Sequence, residues 1–195
     1  MARMSSNNPP GLVRPEHRSL LLELARNSIT HGLANGRPLI VDLDDYAPEF
    51  HEPRASFVTL HLESRLRGCI GSLQAHRPLA VDVAHNAYAA AFEDPRFPPV
   101  SDSEAVRLEL HLSLLTPPEP VIFGSEAGLL GQIVPGEDGL ILTEGGRRGT
   151  FLPAVWESLP DPVQFLEHLK LKAGLPRGYW SDTVRVWRYR AEVIH

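Results

Sequence analysis

The chain has 195 residues, enough to bury a sizeable core in one domain or in one domain with an added lobe. Hydrophobic residues make up 43% and charged residues 22%, which is ordinary for a globular protein and excludes the disordered and fibrous classes. The formal net charge of −5, with no run of Lys or Arg, argues against a nucleic-acid-binding protein, because such proteins neutralise phosphates with a basic excess.

The chain contains a single cysteine, Cys69. One cysteine excludes an internal disulfide and a cysteine-rich zinc site within the chain, and an unpaired thiol is typical of a reducing compartment. No segment has the apolar length of a membrane span, and the N-terminus lacks the apolar core of a signal peptide. We therefore expect a cytoplasmic protein that binds neither membranes nor nucleic acid.

The chain begins with a polar segment and continues into a helix. Residues 1–13 carry Pro and Gly among polar residues, which predicts a flexible segment. Pro15 and Glu16 suit the first turn of a helix, and apolar residues recur on one helical face before Gly36. The acidic stretch within residues 39–54 lacks the glycine and the distal glutamate of a calcium loop, so a solvated loop is favoured over a cation site.

Residues 56–73 predict a β-hairpin, because apolar and polar residues alternate in its first half and a second apolar run follows. A connecting loop of two or four residues would place Leu60 opposite Cys69 and would turn His61 to the other face. Arg67 is two residues from Cys69, so the two side chains are expected to share a face in any register.

Residues 78–92 predict a mostly buried helix, because apolar residues fill two adjacent helical stripes. The proline-rich stretch 94–99 ends that helix. Alternation over residues 106–115 predicts a strand whose even-numbered residues, from Val106 to Leu114, face the core.

The C-terminal part continues this mixture of short elements. We expect a short helix at 125–130, a second hairpin at 139–143 and 149–152, a helix over 161–173 and a terminal strand over 183–193. Because helices and strands are mixed and several strands are linked by hairpins, the predicted fold class is α+β, with a mostly antiparallel sheet and packed helices.

Three segments resemble the motifs of the AMMECR family, the AMME chromosomal region gene 1 protein family. They are LRGCIG at 66–71, EDPRFPPV at 93–100 followed by LSLLT at 112–116, and TFLPAV at 150–155 followed by LKAG at 171–174. Five pieces in the family's order and spacing are hard to obtain by chance. The resemblance extends over roughly residues 15–192.

The resemblance implies one domain over residues 14–195, with a larger and a smaller subdomain. Bacterial members of this type resemble protein A of the AmmeMemoRadiSam system, whose name implies a Memo-like protein and a radical SAM protein as partners. No established reaction comes with the resemblance. Many family members carry His-Gly where this chain has Asp138 and Gly139, so a mechanism that depends on that histidine would not transfer to this chain.

Cys69 is the leading candidate for chemistry. Gly68 and Gly71 leave room for close approach of a backbone or a substrate, and the cation of Arg67 would favour a thiolate at Cys69. One interpretation is therefore a nucleophilic thiolate. The other is a small buried hydrophobe, with the glycines allowing a helix to pack closely.

A nucleophilic cysteine usually needs a base such as histidine, and three histidines are placed to serve: His61, His85 and His111. The expected hairpin register turns His61 away. Glu109 shares a strand face with His111 and could orient it, which makes His111 the catalytic candidate, although an exposed ionic pair explains the same spacing.

Asp94 and Arg96 lie in the proline-rigidified turn that follows the second helix. The planar guanidinium of Arg96 suits a carboxylate or a phosphate, so these two residues are candidates for substrate binding together with Glu109, Gly68 and Gly71. The alternative is an internal ion pair that pins the loop.

Two functions from different classes remain open. The first is an enzyme, or an enzyme component, that uses Cys69 on a small anionic substrate. The second is a non-catalytic binding or adaptor protein. No histidines have metal-ligand spacing, and no Ser-His-Asp pattern, phosphate-binding loop or dinucleotide fingerprint occurs, so no metal and no cofactor are predicted.

Overall fold

The computed structural model describes residues 12–195. Over this range the chain forms two compact units: a first unit of residues 12–115 with 192–195, and a second unit of residues 116–191. Of the segment predicted to be flexible, residues 1–11 lie outside the described residues. Val13 is buried, and its backbone N–H donates a hydrogen bond to the Glu192 carboxylate.

The described part of the chain contains five α-helices and eight strands. The helices are α1 (Pro15–Asn35), α2 (Leu79–Phe92), α3 (Asp102–Ala105), α4 (Glu126–Leu130) and α5 (Pro162–Lys172). The strands are β1 (Ser56–Leu62), β2 (Arg65–Gly71), β3 (Glu109–Leu115), β4 (Glu119–Pro120), β5 (Gly139–Glu144), β6 (Arg147–Phe151), β7 (Arg185–Tyr189) and β8 (Ala191–Ile194). They form two four-stranded antiparallel sheets, in the orders β2-β1-β3-β8 and β4-β7-β5-β6, so the predicted α+β fold is confirmed.

In the first unit, α1 and α2 pack together and cover one face of the sheet. The strand residues on that face are fully or almost fully buried: Val58, Leu60, Leu110, Leu112 and Leu114. Because side chains alternate along a strand, the residues between them lie on the opposite face. That opposite face is where the candidate site is found.

A buried polar network joins α2 to β1. The Asp82 carboxylate accepts hydrogen bonds from the backbone N–H and the hydroxyl of Ser56, and the side-chain amide of Asn86 donates to it at 2.9 Å. Burial raises the pKa of Asp82, although the Ser56 hydrogen bonds act against this. These polar residues of α2 therefore hold the helix to the sheet, and they do not face solvent.

The first hairpin forms as predicted, but its register differs. The turn consists of residues 63–64, both with positive φ, and a β-bulge leaves Arg67 without a partner on β1. Cys69 consequently lies opposite Thr59, and not opposite Leu60 as predicted. The turn was misplaced because neither of its residues is Asn or Gly, the types that usually mark such a turn.

The corrected register changes which histidine shares a face with Cys69. Thr59 lies opposite Cys69 on one side and opposite His111 on the other, so these three side chains form a row across the sheet. His61 is two residues from Thr59 and its ring lies 4.8 Å from that of His111. The prediction that His61 turns away from Cys69 is therefore wrong.

Two other predicted strands have different boundaries. Ser101 and Glu104 form a capping box that begins the short helix α3, so β3 begins only at Glu109. Val106, predicted to face the core, follows α3 and is 81% exposed. The predicted terminal strand is divided into β7 and β8, which belong to different sheets.

The second unit has a core of its own, centred on α5 and the middle of its sheet. Trp156 is buried and stacks on Phe165, with ring centroids 3.8 Å apart. Gly149 of β6 allows α5 to approach closely, because a Cβ there would lie 2.9 Å from the Leu169 carbonyl oxygen. Among residues 12–195, no helix combines the length and the apolar character needed to cross a bilayer.

Candidate functional site

The site is built around Cys69, which lies on β2 with its side chain partly exposed. Its backbone N–H donates to Asp94 Oδ2 at 2.9 Å, and its carbonyl oxygen accepts from Arg96 Nη2 at 3.1 Å. Its sulfur lies 3.2 Å from Thr59 Oγ1. The loop after α2 therefore binds the backbone of this residue and leaves its thiol on the outer face of the sheet.

Asp94 is the buried anchor of that loop, with a relative exposure of 4%. Its carboxylate accepts hydrogen bonds from the backbone N–H, Nε and Nη2 of Arg96 in addition to the Cys69 N–H. Hydrogen bonding to the Arg96 side chain, followed by the two backbone N–H groups, holds the pKa of Asp94 far below its ordinary value. Asp94 is therefore a permanent anion that positions its neighbours.

Arg96 has a different environment, because its side chain remains 53% exposed. Asp94 raises the pKa of Arg96, and the guanidinium lies over the ring of Phe97 at 5.5 Å. The internal ion pair that was one of the two interpretations is present. This ion pair also holds the exposed guanidinium of Arg96 against the main-chain carbonyl of Cys69, so the pair is compatible with a binding role for Arg96.

Arg67 is directed elsewhere. Its Nε donates to Glu104 at 2.8 Å and its Nη2 to the Pro99 carbonyl at 3.3 Å. This pairing, with the Ser101 backbone N–H, lowers the pKa of Glu104 to about 2. The bulge at Arg67 also interrupts the alternation from which a shared face with Cys69 was predicted. Arg67 therefore ties β2 to α3, and Arg96 is the cation that contacts Cys69.

Packing explains the two glycines beside Cys69. A Cβ on Gly68 would lie 2.0 Å from the Ala90 main-chain oxygen in α2, and a Cβ on Gly71 would lie 2.4 Å from the Phe57 ring. Protein atoms thus fill the space that the sequence analysis offered to a substrate at these positions. Gly68 and Gly71 are packing residues that set the position of the strand.

Three histidines gather on the outer face of the sheet in the first unit. The ring of His111 lies 4.8 Å from that of His61 and 5.7 Å from that of His195, at the end of β8. Burial, followed by these two neighbours, lowers the pKa of His111. Glu109 is exposed and opposes this lowering only weakly, and its role in orienting His111 stays a prediction.

Sequence reasoning overlooked two members of this surface. Thr59, whose hydroxyl contacts the Cys69 sulfur, was read only as a polar residue of an alternating strand. His195 could not be assigned, because its proximity to His111 depends on β8 lying beside β3. The correct turn position would have revealed Thr59, whereas nothing in the sequence indicates which strand β8 pairs with.

The position where many family members have histidine is structural in this chain. Asp138 is fully buried, and its carboxylate accepts hydrogen bonds from the Val134 backbone N–H at 2.9 Å and from Arg190 Nε at 3.4 Å. Its carbonyl oxygen accepts from Trp156 Nε1 at 2.8 Å. These contacts all lie within the second unit and join the start of β5 to its core.

The AMMECR1 family profile matches residues 22–194. The chain belongs to the AMMECR1 family. It is 38% identical to a protein of Methanothermobacter thermautotrophicus, over 94% of this chain and 96% of that protein. It is 40% identical to a protein of Thermotoga maritima, over 78% of this chain and 85% of the relative.

The fold also agrees with that of a solved structure. The chain matches the crystal structure of an uncharacterized protein from Pyrococcus horikoshii with a TM-score of 0.81 and 34% sequence identity. The match covers 94% of this chain and 93% of the other. The relatives' names specify no reaction, so the molecular activity of this AMMECR1-domain protein is uncharacterised.

Proposed function

We propose that this AMMECR1-domain protein acts on a small anionic molecule through the Cys69 thiol. The observation that supports this most strongly is the position of Arg96, whose half-exposed guanidinium donates to the Cys69 carbonyl at 3.1 Å. A cation beside a partly exposed thiol attracts an anionic substrate to it. Cytoplasmic conditions, which are reducing, would keep this thiol free.

The anion-binding role falls to Arg96 and not to Arg67. The Arg67 side chain is 9% exposed and is paired with Glu104, so its charge is already used within the protein. Arg96 is paired with Asp94 through one edge of its guanidinium, and its exposed part faces solvent. An Arg fork of this kind suits a carboxylate or a phosphate.

The histidine cluster supplies the base that the reaction needs. His111 has a lowered pKa and is therefore neutral at neutral pH, and it lies one strand beyond Thr59, whose hydroxyl contacts Sγ. In the proposed step the thiol proton passes to a neutral histidine, with the Thr59 hydroxyl between them. Sγ then forms a bond to an electrophilic carbon of the substrate, and the electron pair of the bond that breaks departs with the leaving group.

The test compares two alkylating agents on the native protein. Cys69 is the only cysteine, so its rate of reaction with anionic iodoacetate can be divided directly by its rate with neutral iodoacetamide. Replacing Arg96 by Gln should lower this ratio at least about threefold, because a local positive charge is lost. Arg96→Lys should retain most of the ratio, since it keeps the charge.

Arg107→Gln is the matched control, because Arg107 is an exposed arginine of the same unit that pairs with Glu63. It should leave the ratio unchanged. A ratio that is equal in the wild type and in Arg96→Gln would contradict the anion-binding role. Alkylation that occurs only after unfolding would contradict any chemistry at Cys69.

A further inference from the structure

The second unit contains a cleft of about 410 Å³ between two segments, residues 121–125 and residues 180–185. Its volume lies in the range of small-molecule binding sites. The lining combines apolar side chains with a few polar groups, which is also typical of such sites. None of its residues belongs to the Cys69 surface.

One wall of the cleft is aromatic and aliphatic. The rings of Trp180 and Phe123 are 5.6 Å apart and tilted by 52°, and both side chains are only partly buried. Ile122, on the same lining segment as Phe123, is 81% exposed. A large aliphatic side chain and an indole exposed together offer a surface for the face of a planar apolar group.

The loop that carries Trp180 is held in one conformation. Glu144 Oε1 accepts hydrogen bonds from the hydroxyls of Tyr179, Ser181 and Thr183, at 2.7 to 2.8 Å. These three hydrogen bonds are the main reason why the pKa of Glu144 is lowered, so the carboxylate stays charged and keeps its donors. The wall is therefore preorganised, which reduces the entropy lost when a ligand binds.

Arg185 provides a cation on the same cleft. Its Nη1 donates to the carbonyl oxygens of Asp182 and Val184 at 2.9 and 3.0 Å, which orients the guanidinium. Within residues 12–195, no carboxylate lies within ion-pair distance of Arg185. Its Nε and Nη2 therefore remain as a fork for an incoming anion.

The charge of the lining limits which anion fits. Asp182 also lines the cleft, and its carboxylate is exposed and carries no described ion pair. Asp182 and the Glu144 carboxylate, whose pKa Arg185 helps to lower, both offset the charge of Arg185, so the cleft attracts a single negative charge weakly and disfavours a dianion such as a phosphate monoester. An aromatic wall beside a single arginine fork suits a planar ring that carries one carboxylate.

We propose that this cleft binds a small aromatic monocarboxylate. The ring packs on Trp180, Phe123 and Ile122, and the carboxylate pairs with the free edge of the Arg185 guanidinium. This site is separate from the proposed thiol chemistry, and neither proposal depends on the other.

The experiment is a titration of the whole chain with phenylacetate, phenylacetamide and phenyl phosphate, followed by ligand-observed NMR and isothermal calorimetry. Phenylacetate should bind saturably, and the neutral amide and the dianion should each bind at least about fivefold more weakly. Arg185→Gln and Trp180→Ala should each weaken phenylacetate binding about fivefold or more. Asp182→Asn should strengthen it, because a repulsive charge is removed.

Arg188→Gln is the control, since Arg188 lies on the same strand, β7, outside the cleft lining. It should bind phenylacetate as the wild type does. Circular dichroism establishes that each variant is folded before it is titrated. The proposal is overturned if phenylacetate does not saturate, if the amide binds equally well, or if a folded Arg185→Gln protein retains wild-type affinity.

Discussion

Each of the two units contains a salt bridge in which one charged group is buried. The buried group is the anion in the first unit and the cation in the second. In the first unit the Asp94 carboxylate is almost fully buried, at 2% exposure, and the Arg96 side chain is 53% exposed. In the second unit Lys170 is completely buried, and its partners Glu126 and Glu167 are 32% and 24% exposed.

This difference decides which of the two clusters has a charged group free to bind a ligand. All three N–H groups of Lys170 have acceptors, namely Glu126, Glu167 and the Tyr179 carbonyl oxygen, so the lysine has no capacity left for a ligand. Arg96 keeps an exposed edge beside a thiol. The buried Lys170 is therefore a structural charge, whereas the buried Asp94 positions an exposed arginine, as the proposed function requires.

The largest effect is expected from Lys170→Met. The methionine fills a similar volume, but the two glutamates lose their common cation, so the free energy of unfolding should fall by about 2–3 kcal/mol. All three tryptophans lie in the second unit, so urea unfolding followed by tryptophan fluorescence measures its stability.

Lys172→Met provides the control, because Lys172 lies on the same helix but is exposed. Its ammonium group lies over the ring of Phe151. It should change stability by less than about 1 kcal/mol. Adding Glu126→Gln and Glu167→Gln to Lys170→Met should recover part of the loss. Equal stability of the Lys170→Met and wild-type proteins would mean that the buried ion pair is energetically neutral.

A somewhat smaller effect is expected from Asp94→Asn. The amide keeps the shape of the side chain but weakens its hydrogen bonds to Arg96 and to the Cys69 N–H, at a cost of about 2 kcal/mol. Hydrogen exchange of residues 56–71, measured by mass spectrometry, reports this loss locally. Unchanged protection of β2 would show that Asp94 does not hold the strand.

The same variant gives a pH dependence of definite sign. Because the folded-state pKa of Asp94 is depressed, its contribution is complete above the unfolded-state pKa of about 3.9 and is lost as pH falls below that value. The wild type should therefore lose more stability on acidification than Asp94→Asn does. Parallel pH profiles for the two proteins would show that the Asp94 ion pair contributes nothing to acid stability.

The sequence predicts the elements better than it predicts the contacts between them. Alternation and helical periodicity are local, so the hairpin, the helices and the α+β class follow from them. The pairing of Cys69 with Thr59 depends on a bulge at Arg67 and on a turn whose two residues are neither Asn nor Gly. The ion pair of Arg67 with Glu104 joins segments 37 residues apart, and residue type alone does not indicate it.

Burial of charge is the other property that the sequence conceals. Lysine is among the residues that are almost never fully buried, so nothing in the sequence singles out Lys170. The same applies to Arg96: its internal pair with Asp94 is formed and part of its guanidinium remains exposed, whereas its binding of a substrate stays a prediction.

The smallest effect concerns the histidine cluster of the first unit. Because burial and the neighbouring rings lower the pKa of His111, its neutral form stabilises the fold above about pH 6.5, and this contribution is lost as pH falls. NMR titration should show His111 titrating below the ordinary histidine value of about 6.5, and His61→Asn should raise the pKa of His111 by removing a neighbouring positive charge. If His111 titrates at or above about pH 6.5, its ring is not desolvated and cannot serve as the neutral base near Cys69. The exposed face of the first unit would then carry a cation, Arg96, and a thiol, Cys69, but no base. In that case Arg96 alone would distinguish this face from the buried lysine cluster of the second unit.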